Sequence, residues 1–592
     1  MTKITEIEAL ISQSRYFDAR HQAENLLKDH PDNLRIRQLL ALSMAKSGAT
    51  DEALAMFEPV YSQSPEDQES AGIMGGIYKT LFKEQESQVY AIKSYEIYLA
   101  NFLKTKNYYT GINAATMSVI GGKVSQGKEI ARTLIDTLGG RESLDFWEYA
   151  TIAEAYLLVK NKEQATKYYI KTRILAENDW GKIRSIHNQL WLLNHFISVP
   201  KEIIKTFTPP HVVAFVGHMI DHPARQDPRF PPQIEGAVKQ ALRQHIQSHR
   251  IDIGYSSIAC GADILFIEAM VELGKEINIF IPFDPEDVLE TSVRFAGDDW
   301  VNRFRTILSE QKKVKLITTD PFNGNDSYFH FLGLNIFGAA SIRAASMGTI
   351  PGLLTVLSEF DRKKNKGGTR NMMELWPYQD KVTHINIDPL RESLPIQQNN
   401  RPLSTEKPNP FPATPNKICY VLYAELFSDD GVRESISELV TTIENNFLDK
   451  LTKEFIPPLY SFFSVNKIIL IFNTSTEALD STLLLRNIFV DMIDKEFENK
   501  IRIHYKAAMH AGSINFYDGK LETTNSKTLD ITQSIASKSA AGAIYASEQF
   551  SNVLALYRQN IRFEPVGVLQ VHDPDNTLRL YKIQKQKTNG FE

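Results

Sequence analysis

Near the start of this 592-residue chain, three positions recur at an offset of 34 residues: Ala19 with Ala53, Ala23 with Phe57, and Pro31 with Pro65. A fixed period of that length marks a two-helix unit that buries its apolar face only by stacking on copies of itself. Small residues fall where the two helices of a unit approach closely. Each proline ends a second helix because it has no N–H for the hydrogen-bond ladder. Residues 147–176 carry another unit, with Tyr149, Ala153 and Tyr156 on one helix and Ala165 and Tyr169 on the next. Residues 70–145 keep a helical pattern but leave the consensus.

These units resemble the tetratricopeptide repeat over roughly residues 4–200, and the repeat region is set at 1–205. The resemblance implies a surface that binds a protein partner, a peptide or another domain. The same surface could instead pack only against a neighbouring domain of its own chain.

A single core rarely grows to this length, so several domains are expected. The net charge of -5 supplies no basic field for nucleic acid or an anionic membrane. Two cysteines, Cys260 and Cys419, make neither a disulfide framework nor a zinc site. The first residues lack the apolar core of a signal peptide, and no apolar run has the length of a membrane span. A cytoplasmic protein is expected.

After Pro209-Pro210 the pattern changes. Short apolar runs at 211–218, 251–259, 277–283, 351–357 and 382–387 alternate with amphipathic stretches, which predicts a parallel sheet with helices on both faces. Ligands bind at the carboxyl ends of strands in such sheets. Three small-residue motifs fall there: Gly217-His218, Gly261-Ala262-Asp263 and Gly367-Gly368-Thr369. Small residues at a helix start let backbone N–H groups reach a phosphate. Asp263 could cap its helix or hydrogen-bond a ribose hydroxyl.

In their joint order these motifs resemble the SLOG superfamily, a Rossmann-like group, over residues 210–392. The resemblance implies a nucleotide or nucleotide-sugar ligand held by Gly217, His218, Gly261, Ala262, Asp263, Gly367, Gly368 and Thr369. The hydrolases of that group place a Glu where this chain has Met372, so binding is favoured over hydrolysis. Arg294, Arg303 and Arg305 lie in a segment that could cover the pocket.

Residues 393–415 are rich in proline and read as a linker. From there to 588 the order of strands and helices resembles a class III adenylate or guanylate cyclase domain, an α+β fold. Its landmarks are Leu422-Tyr-Ala-Glu425, a hairpin turning at Asn466-Lys467, Met509-His-Ala-Gly512 and Leu580-Tyr-Lys-Ile583. Such cyclases use two carboxylates to hold two metal ions. The resemblance puts these at Glu425, a weak metal ligand here, and at Asn466, a neutral amide and a poor ligand for magnesium. The base-selecting Lys becomes Phe462. The transition-state pair becomes Asp530 and Ser534. A degenerate domain follows, with Mg2+ or Mn2+ relevant only if it is active, and the family's shared sites imply a homodimer.

The reading reached is a sensor: nucleotide-derived ligand in the centre, protein-binding repeats, and a dimerising pseudo-cyclase. The alternatives are an enzyme, either a divergent cyclase or a nucleotide hydrolase, and a non-binding scaffold.

Overall fold

The structure is a computed structural model. It describes all residues except 1–2, 178, 226–227, 323, 359–371, 393–415, 429–440, 448–449, 451–455, 465, 497–502, 518–519, 523–525, 571–576 and 586–592. The residues divide into two compact units, Met1–Pro209 with Val566–Arg579, and Pro210–Pro565 with Leu580–Glu592.

The first unit contains α1 (Lys3–Ser12), α2 (Tyr16–Asp29), α3 (Leu34–Lys46), α4 (Thr50–Gln63), α5 (Gln68–Gln85), α6 (Gln88–Thr105), α7 (Tyr108–Ile120), α8 (Val124–Gly139), α9 (Phe146–Leu158), α10 (Lys162–Ala176), α11 (Trp180–Asn194) and α12 (Lys201–Thr206). The repeat positions behave as expected. Ala19, Ala23, Ala53, Phe57, Ala153 and Ala165 are wholly buried. Pro31 and Pro65 stand just past the ends of α2 and α4.

The side chains of Asn33, Asp67, Asn107, Asp145 and Asp179 accept backbone N–H bonds at the starts of α3, α5, α7, α9 and α11. The gaps between these caps are 34, 40, 38 and 34 residues. The middle units are therefore longer, which is why the 34-residue period fades over 70–145. Their close contacts change chemistry as well. A Cβ on Gly75 would lie 2.7 Å from the Tyr98 ring, and one on Gly111 would lie 2.7 Å from Phe102. Here glycine under an aromatic ring takes the place of the alanine contact.

In the second unit, β1 (His211–Gly217), β2 (Ile251–Ser256), β3 (Glu276–Ile281), β4 (Val314–Leu316), β5 (Gly352–Leu357) and β6 (Val382–Asn386) form one sheet. Its order is β4-β3-β2-β1-β5-β6 and every pairing is parallel. The helices are α13 (Glu235–Ser248), α14 (Ala262–Glu272), α15 (Pro285–Ser292), α16 (Asp298–Glu310), α17 (Ser327–Ser346) and α18 (Asp388–Glu392). The parallel α/β sheet expected from the apolar runs is present. Strand β4 and helix α17 are additional to those runs.

A second sheet contains β7 (Asn416–Ser428), β8 (Tyr460–Ser464), β9 (Lys467–Phe472), β10 (Ile503–Tyr517), β11 (Lys520–Leu521), β12 (Ile544–Ser547), β13 (Ile561–Gln570) and β14 (Thr577–Lys585). Strands β14, β12, β10, β7, β9 and β8 lie in that order, and the short β11 pairs with β10. Strand β7 pairs antiparallel with β10 over thirteen positions, and β10 pairs parallel with β12. In the β8–β9 hairpin Lys467 is paired opposite Ser464, so it belongs to the ladder and not to the turn expected at Asn466-Lys467. Helices α19 (Ser475–Glu496), α20 (Lys527–Lys538) and α21 (Glu548–Tyr557) accompany this sheet. The Pro-rich stretch 393–415 falls outside the described residues; the central sheet and, apart from Val566–Arg579, the strands that follow it belong to one compact unit.

One aspartate links two repeat units. Asp67 accepts from Ser70 N at 2.7 Å and from Gln38 Nε2 of the preceding unit at 2.6 Å. Asp67→Ala is expected to cost about 1–2 kcal/mol by losing cap and bridge together. Asp67→Asn should lose less, and thermal unfolding of the two variants against the parent checks the ranking.

Candidate functional site

Strand β1 is where the winding of the central sheet reverses. The chain runs outward from β1 through β2, β3 and β4, then returns to place β5 on the other side of β1. In open α/β sheets the crevice outside the carboxyl ends at such a point is the usual ligand site. Gly217 and His218 lie at that end of β1, Ser358 follows β5, and Asp388 follows β6.

The first βα connection is tightly knotted. His218 N donates to Val356 O at 3.1 Å, tying it to β5. His218 O accepts from Ala262 N at 3.0 Å, and Ile220 N donates to Cys260 O at 3.2 Å. A Cβ on Gly217 would lie 2.4 Å from that of Ala262. Gly261 has φ +102° and packs on the backbone of residues 218–220, where a Cβ would come within 2.4 Å of Ile220 N. Any side chain there would both strain the backbone and clash. Gly217, Gly261 and Ala262 thus bring β1 and α14 together, and the Ala262 N–H is already used by His218 O.

Asp263 is buried in the first turn of α14 and accepts from Ala259 N at 3.3 Å. That bond runs to the loop before α14 and not to an N–H of the helix, so the Asp263 side chain does not cap α14. Burial pushes its carboxyl up to about 7. Gly367, Gly368 and Thr369 lie outside the described residues. Met372 is buried, with its thioether over Gly333 of α17.

Residues absent from the sequence motifs gather around His218 at the same end of the sheet. Asp221 accepts from Arg229 N at 2.8 Å and Phe230 N at 2.9 Å, closing the loop that follows β1. Arg225 Nε lies 3.4 Å from the same carboxylate. Ser358 Oγ donates to Asp388 Oδ1 at 2.6 Å, and Arg391 pairs with Asp388 at 3.1 Å while donating to Pro228 O at 2.7 Å. His384 Nδ1 is 3.0 Å from Thr355 Oγ1. Burial drives the His218 imidazole down to about 3; Arg229 and Arg225 add to this, His384 adds less, and Asp388 opposes it. His218 is therefore neutral at neutral pH, beside two guanidinium groups. A neutral ring with cations around it can hydrogen-bond an anion without demanding a proton. Of these groups, Asp221, Arg225 and Arg229 lie in the polar stretch after Gly217-His218, where nothing in the sequence separates them from solvated side chains.

The three arginines of the 294–305 segment have local duties. Arg303 pairs with Glu268 and Glu235 at 2.7 Å each and lies 4.0 Å over the Trp300 ring. Arg294 pairs with Glu290 at 2.6 Å, and Arg305 approaches Glu286 at 3.9 Å.

In the second sheet, Glu425 and Asn466 do meet: Asn466 Nδ2 is 3.4 Å from Glu425 Oε1. Lys506 of β10 and Lys467 of β9 stand directly opposite Glu425 in the two ladders, so all three share one face of the sheet. Lys506 Nζ sits 4.9 Å over the Phe427 ring. Phe462 is on the edge strand and 42% exposed. Asp530 is exposed and Ser534 half-buried on α20. That helix packs through Leu529 near Cys419 and Val421, four to six residues from Glu425 along β7, roughly 13–20 Å. Just past the other end of the helix, Ser539 Oγ reaches Ala507 O of β10 at 3.4 Å, next to Lys506. Among the described residues, no group of three or more His, Cys, Asp or Glu could hold a metal ion.

The first helices of several repeat units share a polar seam. Lys79 of α5 donates to Asn113 of α7 at 2.9 Å and to Gln189 of α11 at 3.5 Å. Gln189 donates to Glu154 of α9 at 2.8 Å, and Thr116 of α7 hydrogen-bonds the same carboxylate. Burial, with Lys83 nearby, brings the Lys79 amine down to about 8.

Asp263 sets a pH dependence whose sign is fixed. Its folded pKa lies above the ordinary 3.8, so the folded chain holds the proton more tightly. Its contribution to stability therefore falls as pH rises from about 4 to about 7. Asp263→Asn should gain in Tm relative to the parent across that window and hold the gain above it; a gap that shrinks with rising pH would contradict the assignment.

No curated protein matches the chain. Many solved structures are similar to parts of it. The match to the adenylate/guanylate cyclase/hydrolase from Silicibacter pomeroyi spans 29% of this chain and 99% of that one, at 17% identity and a TM-score of 0.22. Adenylyl cyclase CyaB from P. aeruginosa matches over 30% and 97%, at 14% identity and 0.23. A thermophilic TPR protein from Thermus thermophilus matches over 32% and 97%, at 15% identity and 0.27. No helix among the described residues is long and apolar enough to cross a membrane. The family model described as Tetratricopeptide Repeats-Sensor matches residues 15–118, reaching into the lengthened units. Over those residues the chain is similar to a tetratricopeptide array.

Proposed function

We propose that the chain is a cytoplasmic signalling sensor that binds a nucleotide-derived anion at the carboxyl edge of its central sheet. The observation that carries this is the placing of neutral His218 beside Arg225 and Arg229 at the point where the sheet reverses. A phosphate there meets guanidinium donors suited to it. The SLOG resemblance supports the same ligand class. The repeats engage a protein partner, in keeping with the sensor family matched over residues 15–118.

The C-terminal domain is read as a pseudo-cyclase that pairs two copies of the chain. Supporting this, the amide of Asn466 faces Glu425 where the resemblance calls for a second metal-binding carboxylate. Lysines in both neighbouring strands oppose Glu425 and disfavour a divalent cation there.

Two measurements test the reading. Nucleotides and nucleotide sugars screened by thermal shift should include one that raises Tm, and the doubly substituted Arg225→Ala, Arg229→Ala chain should lose at least about tenfold in affinity for it. No shift from any of them would leave the scaffold alternative. Incubation with Mg2+ or Mn2+ and each nucleoside triphosphate should give no cyclic product; product that disappears in Glu425→Ala would establish the divergent cyclase instead.

A further inference from the structure

Helix α17 has no solvent face over its central turns. Every residue from Phe331 to Gly338 is buried. A helix apolar all round has to be covered on all sides. One side lies on β1, β2 and β3 of the central sheet. Phe337 packs edge-on against Trp376 at 5.0 Å, and Gly333 lies under Met372. The remaining side is covered by α21 of the C-terminal domain.

That contact is as close as two helices can make it. A Cβ on Gly338 would sit 1.8 Å from the backbone oxygen of Asn552. The nine residues Glu548 to Leu556 of α21 are all buried, four of them polar. Three of these find partners in the central domain. Asn552 Nδ2 donates to Asn335 Oδ1 at 3.2 Å, and Asn335 in turn donates to Phe331 O at 2.9 Å. Gln549 Nε2 reaches Ile317 O at 3.4 Å, and Glu548 pairs with Lys315. Farther along the helices, Ile342 joins Ala555 and Tyr581 in a small apolar cluster. Asn325 Nδ2 donates to Asn416 O at 2.9 Å, and Asp320 is engaged by Ser513.

From this we infer that the C-terminal domain is an obligate cover for the central domain, docked on α17 through α21, so that the two α/β domains open as one unit. The α21 face is then closed to any other partner, and a second copy or a protein ligand must use a different surface. Docking also gives the C-terminal fold a role independent of cyclase chemistry. The inference does not depend on which ligand the central crevice takes.

Hydrogen exchange of the full chain, followed by mass spectrometry, reads this directly. Segments 327–346 and 548–557 are expected to share one opening equilibrium. Gly338→Leu, a change confined to the central domain, should raise exchange in 548–557 by about tenfold or more, because there is no space for the side chain. Should that variant fail to fold, Glu548→Gln weakens the docking from the other side and should raise exchange in 314–346. Exchange in 108–138 of the repeats serves as the unchanged reference. Independent opening of the two helices in the parent chain, or an effect of each substitution confined to its own domain, would overturn the inference.

Discussion

At Gly338 the backbone of one helix touches the backbone of another, with no room for a methyl group between them. Much of the second unit depends on this contact. It places α17 between two sheets, with β1 to β3 on one side and α21 on the other. The arrangement explains why α17 has so little polar surface and why α21 buries Glu548, Gln549, Ser551 and Asn552. Buried polar side chains are costly unless they are satisfied. Here Asn335, Lys315 and the Ile317 carbonyl supply partners from the opposite domain.

The same helix supports β1, the strand that ends at the candidate crevice. The glycines there pack one backbone against another and leave the polar work to side chains. Gly217 and Gly261 bring β1 and α14 into contact, and Arg225, Arg229 and Asp388 stand near His218 at the carboxyl end of β1. Electrostatics follow from that division. A buried imidazole near two guanidinium groups stays neutral, whereas a buried carboxyl such as Asp263, with one backbone donor, is pushed upward.

Much of this was legible in the sequence. Ala19, Ala53 and Phe57 located the helix contacts of the first repeats, because close packing admits few residue types there. The lengthening of the middle units was hidden, since capping residues such as Asn107 and Asp145 carry no period once the spacing changes from 34 to 40 and 38 residues. The strands of the central sheet were plain as apolar runs, but β4 was not: it has three residues, two of them half-buried and one exposed. Gly217-His218 and Gly261-Ala262-Asp263 were found as motifs, yet a glycine looks the same in sequence whether it admits a phosphate or another backbone. Arg225 and Arg229 carried no pattern to set them apart from solvated arginines.

The sequence by itself determined the helical array, the parallel sheet and the order of elements in the C-terminal domain, because each rests on local periodicity and on residue sizes that only a few neighbours can accept. The β8–β9 hairpin fixes its own register, whereas the meeting of Glu425 with Asn466 rests on the longer-range pairing of β7 with β9. Tertiary structure alone decided that α17 and α21 pack backbone to backbone, and which charged groups gather around His218. Those outcomes depend on contacts between residues such as Gly338 and Asn552, more than two hundred positions apart. No local pattern encodes them, because the free energy of such a contact exists only once both surfaces are already built.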